Sequence, residues 1–204
     1  MSDRLEETLA AARACQLCAA ALPHEPRPVV VADRRARILI IGQAPGRRVH
    51  ESGIPWNDPS GDRLRTWLDV DRDTFYDPTK FAIVPMGFCF PGTGSGGDLP
   101  PRPECAPTWH EPILAELPDV ALTLLLSQYA LKYYLKERAS KTVTETVTRW
   151  REFAPVFLPL PHPSPRNQRW LRNNPWFEAE VVPELKKRVH AILGDSAASS
   201  SGDR

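Results

Sequence analysis

The hydrophobic positions fall into four short, almost wholly apolar runs separated by amphipathic stretches. The runs are 37–42 (RILIIG), 81–85 (FAIVP), 119–127 (DVALTLLLS) and 155–160 (PVFLPL). Runs this short and apolar throughout predict strands buried on both faces of a parallel sheet. Between them the apolar residues return at helical spacing. Residues 3–14 put Leu5, Leu9 and Ala12 on one face, and 61–69, 107–117 (introduced by Pro107) and 128–137 also read as helices. Residues 142–150 are threonine-rich, yet Val143, Val147 and Trp150 share a side, so a helix is expected there too. Pro175 is placed to open a final helix reaching about Leu193. The last residues have nothing to bury, so one domain over 1–194 and a disordered tail over 195–204 are expected.

Strands alternating with helices predict an α/β fold, a four-stranded parallel sheet covered by helices on both faces. In such sheets ligands bind beyond the C-terminal ends of the strands. The loops 42–64, 86–105 and 161–174 all leave such ends. Most connections take about 4–6 residues, so three long ones converging on one edge point to a site. The first, GQAPGRRVHESGIPWNDPSGDRL, mixes glycine and proline with arginine, histidine, tryptophan and acids.

Composition narrows the classes. At 204 residues, 42% hydrophobic and 25% charged, the chain is a globular domain able to hold one sizeable core. No apolar stretch approaches the roughly 20 residues that cross a bilayer. The first 18 residues lack a signal-peptide apolar core, so a cytoplasmic protein away from membranes is expected. The net charge of +1 excludes a global basic field, so any phosphate-binding surface has to be local. The candidate is 162–177, HPSPRNQRWLRNNPWF, with Arg166, Arg169, Arg172, two tryptophans and no acid. A nucleic-acid contact and a solvated loop both fit that composition.

The four cysteines, Cys15, Cys18, Cys89 and Cys105, form a C-x2-C pair and a second pair on the Gly/Pro-rich loop. A chain in a reducing compartment has little use for a disulfide framework. Four thiolates could complete one metal shell, and zinc and iron–sulfur clusters both accept such a set; four unrelated thiols are the plain alternative.

Taken together, these motifs resemble the uracil-DNA glycosylase superfamily, especially its iron–sulfur families 4 and 5. The resemblance rests on the four cysteines, on Gly42-Gln43-Ala44-Pro45-Gly46 after the first strand, and on His162-Pro163-Ser164-Pro165-Arg166-Asn167 after the last, in order across 15–190. It implies a three-layer αβα sandwich, a 4Fe–4S cluster on the cysteines, and a monomer acting on DNA that contains a damaged base. Two positions depart from the family pattern. Gln43 stands where family 4 has a glutamate, and Pro85 stands where the second strand normally ends in a base-reading asparagine. Asp58, in Asp58-Pro59-Ser60-Gly61-Asp62, lies close to the family 5 aspartate, with Asp62 in reserve.

The resemblance implies these roles. Cleaving an N-glycosidic bond builds positive charge on the sugar and negative charge on the departing base. Asp58 is expected to stabilise the first and orient water, and His162 to donate a hydrogen bond to the second. Capping of the following helix is the alternative use of Asp58. Trp56 is expected to stack on a flipped base, the backbone of residues 42–46 to approach its edge, and Asn57 to replace the amide lost at Pro85. Ser164, Arg166, Asn167 and Arg169 are expected to meet DNA. Trp170 and Trp176 are assigned to helix packing, and His50 to a DNA-facing or structural place. The function expected is hydrolysis of the glycosidic bond of uracil or another deaminated base. The competing readings are an inactive or altered-specificity DNA-binding relative and a zinc-stabilised protein acting on small nucleotides.

Overall fold

The computed structural model describes residues 4–199. Its strands are β1 (Ile38–Ile41), β2 (Phe81–Ile83), the two-residue pair β3 (Thr93–Gly94) and β4 (Gly97–Asp98), β5 (Leu122–Leu126) and β6 (Phe157–Leu160). The helices are α1 (Arg4–Arg13), α2 (Arg47–Ser52), α3 (Pro59–Leu68), α4 (Arg72–Tyr76), α5 (Cys105–Leu114), α6 (Gln128–Leu135), α7 (Val143–Thr148), α8 (Gln168–Asn173) and α9 (Val182–Ser199). Strands β2-β1-β5-β6, in that order, make one parallel sheet, while β3 and β4 form a separate antiparallel hairpin. All four apolar runs are therefore strands of one sheet. Ile40 sits in register with Ile83 on one side and Leu124 on the other.

Inside each apolar run the pleat sorts residues to opposite faces. Leu39, Ile41, Ala82 and Leu125 pack with Leu5 and Leu9 of α1, Ile113 of α5 and Leu131 of α6. Ile38, Ile40, Phe81 and Leu124 pack on the other side with Leu64 and Leu68 of α3 and with Leu185 and Val189 of α9. Both faces are covered, which is why no polar alternation interrupts these strands. Pro159 has no N–H for a ladder, and its strand β6 lies at the sheet edge, where none is needed.

Local chemistry sets several helix starts. Asp58 caps α3, its Oδ1 accepting the Gly61 N–H at 2.8 Å, with Pro59 in the first turn. Thr142 and Glu145 form a reciprocal capping box on α7, which ends at Thr148 and passes into a 3-10 turn over Trp150–Phe153. The helix expected from 107 begins two residues earlier, so that Cys105 opens it and Pro107 falls within its first turn. The final helix is preceded by a π turn at Phe177–Val181 and continues to Ser199, beyond Leu193 and into the stretch expected to be disordered. The rest of that stretch, 200–204, lies outside the described residues. Among the described residues no helix is long and apolar enough to cross a membrane.

Candidate active site

The three loops that leave the strand ends enclose one cavity of about 430 Å³. Gly42 to Gly46 form the wall after β1, and Ile83 and Pro85 the wall after β2. Asp58 and Trp56 enter from the turn before α3, Asp98 and Leu99 from the hairpin, and His162, Ser164, Arg166 and Asn167 from the loop after β6. Asp58 and His162, far apart in the sequence, line the same space.

Trp56 adopts a left-handed backbone with φ of 55°, a conformation that bulky residues rarely hold. Its surroundings explain why it persists. A Cβ on Gly61 would collide with the Trp56 carbonyl oxygen, and one on Gly42 would stand 2.9 Å from the indole ring. The two glycines thus leave room for a tryptophan folded back over the strand end. Its ring then lies 5.5 Å from the His162 ring, tilted by 30°. The same turn sends Asn57 the other way. Its side-chain oxygen accepts from Arg72 at 3.1 Å and it does not line the cavity, which corrects the expectation that it replaces the lost base-reading amide.

His162 is held by its own loop. Its Nδ1 accepts the Ser164 N–H at 3.2 Å, so Nε2 is the protonated nitrogen of the neutral ring. Asn167 donates to the His162 carbonyl at 2.7 Å. Arg63 of α3 donates to the Ser164 carbonyl at 3.0 Å and to the Gln168 side chain at 2.8 Å, pinning the loop to the helix that Asp58 caps. Burial pushes the His162 pKa down to about 4, with the charge of Asp98 working in the opposite direction. The imidazole is neutral at pH 7 and carries its N–H on Nε2.

One oxygen of Asp58 is spent on the helix cap, but the other is not. Its Oδ2 comes within 3.9 Å of the point where a Cβ on Gly46 would stand, and it faces the cavity. The cap therefore leaves one carboxylate oxygen of this residue uncommitted. Asp62 is not among the residues that line the cavity; it is exposed and pairs with Arg65 at 2.5 Å one turn along α3.

The wall expected to present backbone groups is partly committed. The carbonyls of Gly42 and Gln43 accept from the N–H groups of Met86 and Gly87, each at 3.0 Å, and the Gln43 side chain donates to the Leu99 carbonyl at 3.4 Å. Pro85 offers no side-chain amide, and its carbonyl accepts from His110 at 2.9 Å. His110 is itself bonded to the Tyr134 hydroxyl and is pushed down to about 4 by burial. Arg166 reaches across the mouth to the hairpin, 3.5 Å from the Gly96 carbonyl, with its guanidinium filling the space where a Cβ on Gly97 would go. The expected DNA contact is thus also a strap between loop and hairpin. Arg169 is exposed on α8 and lies outside the cavity. His50 stands on α2 against His24 and Phe90, with ring centroids at 4.4 and 6.0 Å, away from the cavity. Trp170 and Trp176 pack edge-on with each other and with Phe177.

Sequence reasoning missed Asp98. It stands in GSGGDLP, a glycine-rich loop with no hydrophobic period. The hairpin, with Gly97 at φ of 131°, brings it to the rim of the cavity, where it remains exposed.

The cysteines gather elsewhere, against α1 and α5. All four line one small pocket together with Ala12, Phe88 and Trp109. Burial pushes the Cys89 thiol up to about 11 and the Cys105 thiol up to about 12, and each is raised further by the neighbouring sulfurs. Sγ of Cys105 accepts the Phe88 N–H at 3.3 Å. Four sulfurs in apolar surroundings fit a thiolate-bound group, which would supply the positive charge that keeps them deprotonated. Among the described residues no set of three or more such side chains stands as the ligands of one metal ion.

The chain matches the family described as Uracil DNA glycosylase superfamily over residues 28–186. That span contains every wall of the cavity and begins after Cys15 and Cys18. With a four-stranded parallel sheet, and with the aspartate and histidine loops meeting at its strand ends, the protein belongs to the uracil DNA glycosylase superfamily, whose members act on DNA.

Proposed function

We propose that the protein is a DNA glycosylase that hydrolyses the N-glycosidic bond of uracil, or of another deaminated base, extruded into the cavity. The observation that carries this reading is the meeting of Asp58 and a neutral His162 across one space beside Trp56. The indole offers a face for a flipped base. His162 Nε2–H is the donor for the base oxygen on which negative charge collects as the bond breaks, and a neutral imidazole is a competent donor there. Asp58 Oδ2 supplies negative charge for the cationic sugar and an acceptor for the attacking water. On this reading Ser164, Arg166 and Asn167, which line the cavity, meet the backbone of the DNA. The site is built from the loops of one chain, which supports a monomer.

On the same reading Cys15, Cys18, Cys89 and Cys105 hold a 4Fe–4S cluster, a set of ligands suited to such a group. Its chemistry there would be structural: it would tie the segment after α1 to the loop after β2 and to the first turn of α5. The base hydrolysis uses none of its electrons. Pro85, by removing the usual reading amide, favours a second reading, in which the fold binds DNA without turnover.

The test is an excision screen with uracil, hypoxanthine and xanthine in single- and double-stranded oligonucleotides. Alkali-labile abasic sites are expected, and both Asp58→Ala and His162→Ala should abolish them. Full activity in both variants would remove the assigned roles. Salt-sensitive binding with no base released from any substrate would establish the second reading instead.

A further inference from the structure

We propose that Asp98 is a second catalytic carboxylate, which holds the attacking water and faces the sugar together with Asp58. The inference rests on the glycosylase reading above and deepens it. Asp98 Oδ2 lies 3.5 Å, and Asp58 Oδ2 3.9 Å, from the point where a Cβ on Gly46 would stand. Two carboxylate oxygens thus open on the same small volume, which is vacant because residue 46 has no side chain. The other oxygen of each acid is occupied. Asp58 Oδ1 caps α3 at 2.8 Å, and Asp98 Oδ1 accepts from the Thr93 hydroxyl at 3.5 Å across the hairpin. Register and strap hold the hairpin in place: Thr93 pairs with Asp98, Gly94 with Gly97, and Arg166 reaches the tip.

A second negative charge in a cleft meant for polyanionic DNA costs binding, so it needs a compensating use. Glycoside cleavage provides one, because the transition state is cationic at the sugar and needs a base for water. The carbon–nitrogen bond breaks with its electron pair leaving on the base, which is stabilised by the His162 donor. The water oxygen forms the new bond to the sugar carbon while its proton passes to Asp98 and on to solvent. The departed base then takes a proton from solvent, which completes the balance. General-base assistance of this kind typically contributes about 10²–10⁴-fold.

The experiment compares wild type with Asp98→Asn in two assays, with thermal melting as a folding control. In single-turnover excision of whichever base the wild type removes, the variant is expected to be slower by about 10²-fold. It should bind DNA carrying a neutral tetrahydrofuran abasic analogue at least as well as wild type, since a charge facing phosphate has gone. In the second assay, wild type should prefer DNA carrying a cationic pyrrolidine analogue over the tetrahydrofuran one, and Asp98→Asn should lose most of that preference. A variant with wild-type rate and undiminished cation preference overturns the proposal while leaving the glycosylase reading intact. Cation preference that depends on Asp98, in a wild type that releases no base, upholds the carboxylate pair and overturns turnover. No cation preference in the wild type also overturns the proposal.

Discussion

His162 can donate from Nε2 because Nδ1 is occupied by the Ser164 N–H, and it stays neutral because burial disfavours its charge. The sign of the pH effect follows. The folded-state pKa is about 4, below the ordinary 6.5, so between these values the unfolded chain binds more protons than the folded one. Stability contributed by this group is full above about 6.5 and is lost as pH falls towards about 4; His110, also held near 4, adds in the same direction. Denaturant midpoints should therefore drop between pH 7 and pH 4.5, and His162→Gln should make that drop smaller. Base excision, if it uses the neutral ring, should be insensitive to this group from about pH 5.5 upward. Asp58 permits a cleaner dissection, because its two oxygens do different things. Asparagine caps helices about as well as aspartate, so Asp58→Asn should melt near wild type but lose excision. Asp58→Ala should lose excision and about 1 kcal/mol of stability as well. Equal melting of the two variants would show that the cap contributes nothing measurable.

Among the elements, the turn between α2 and α3 shows how a loop becomes a wall. The left-handed Trp56 is tolerated because Gly42 and Gly61 leave space for its ring and carbonyl, and Arg65 donates to that carbonyl at 3.4 Å. A Cβ at Gly61 has no room against rigid backbone. Gly61→Ala is thus expected to cost about 2–3 kcal/mol, read as a lower denaturant midpoint at unchanged slope. Wild-type stability in that variant would mean that the turn can be rebuilt without loss. Parts of this region were legible in the sequence. The Asp-Pro-Ser-Gly stretch announced a cap, and the glycines announced close approach. The short helix α2 and the hairpin were not legible, since two-residue strands and a glycine-rich tip carry no period of 2 or 3.6.

At the scale of the molecule, the cysteine pocket and the cavity are separate features on one framework. Cys15 follows α1, Cys89 follows β2 and Cys105 opens α5, so a group bound to them would join parts that the sheet itself leaves unlinked. Purified under anaerobic conditions, the protein should absorb near 400 nm. Bleaching that band by oxidation, or by Cys105→Ala, should lower the melting temperature and speed hydrogen exchange in residues 14–29 before it does so in β1 and β5. Uniform loosening of the sheet would contradict a local tie, and a colourless protein containing zinc would replace the cluster with a single ion.

The sequence by itself determined the four strands, the longer helices that cover them and the edge at which their long loops meet, because these follow from local periodicity and from burial on both sheet faces. Spacing and residue type marked the four cysteines, and the resemblance carried by the motifs marked Asp58, His162 and Trp56. Tertiary structure alone decided which side chains share the cavity. Asn57 turns away because Trp56 is left-handed, Arg166 crosses to the hairpin because Gly97 leaves it room, and Asp98 comes to face Asp58 across Gly46. Those outcomes depend on single backbone angles and on contacts between residues distant in the chain, and neither leaves a periodic trace in the order of the amino acids.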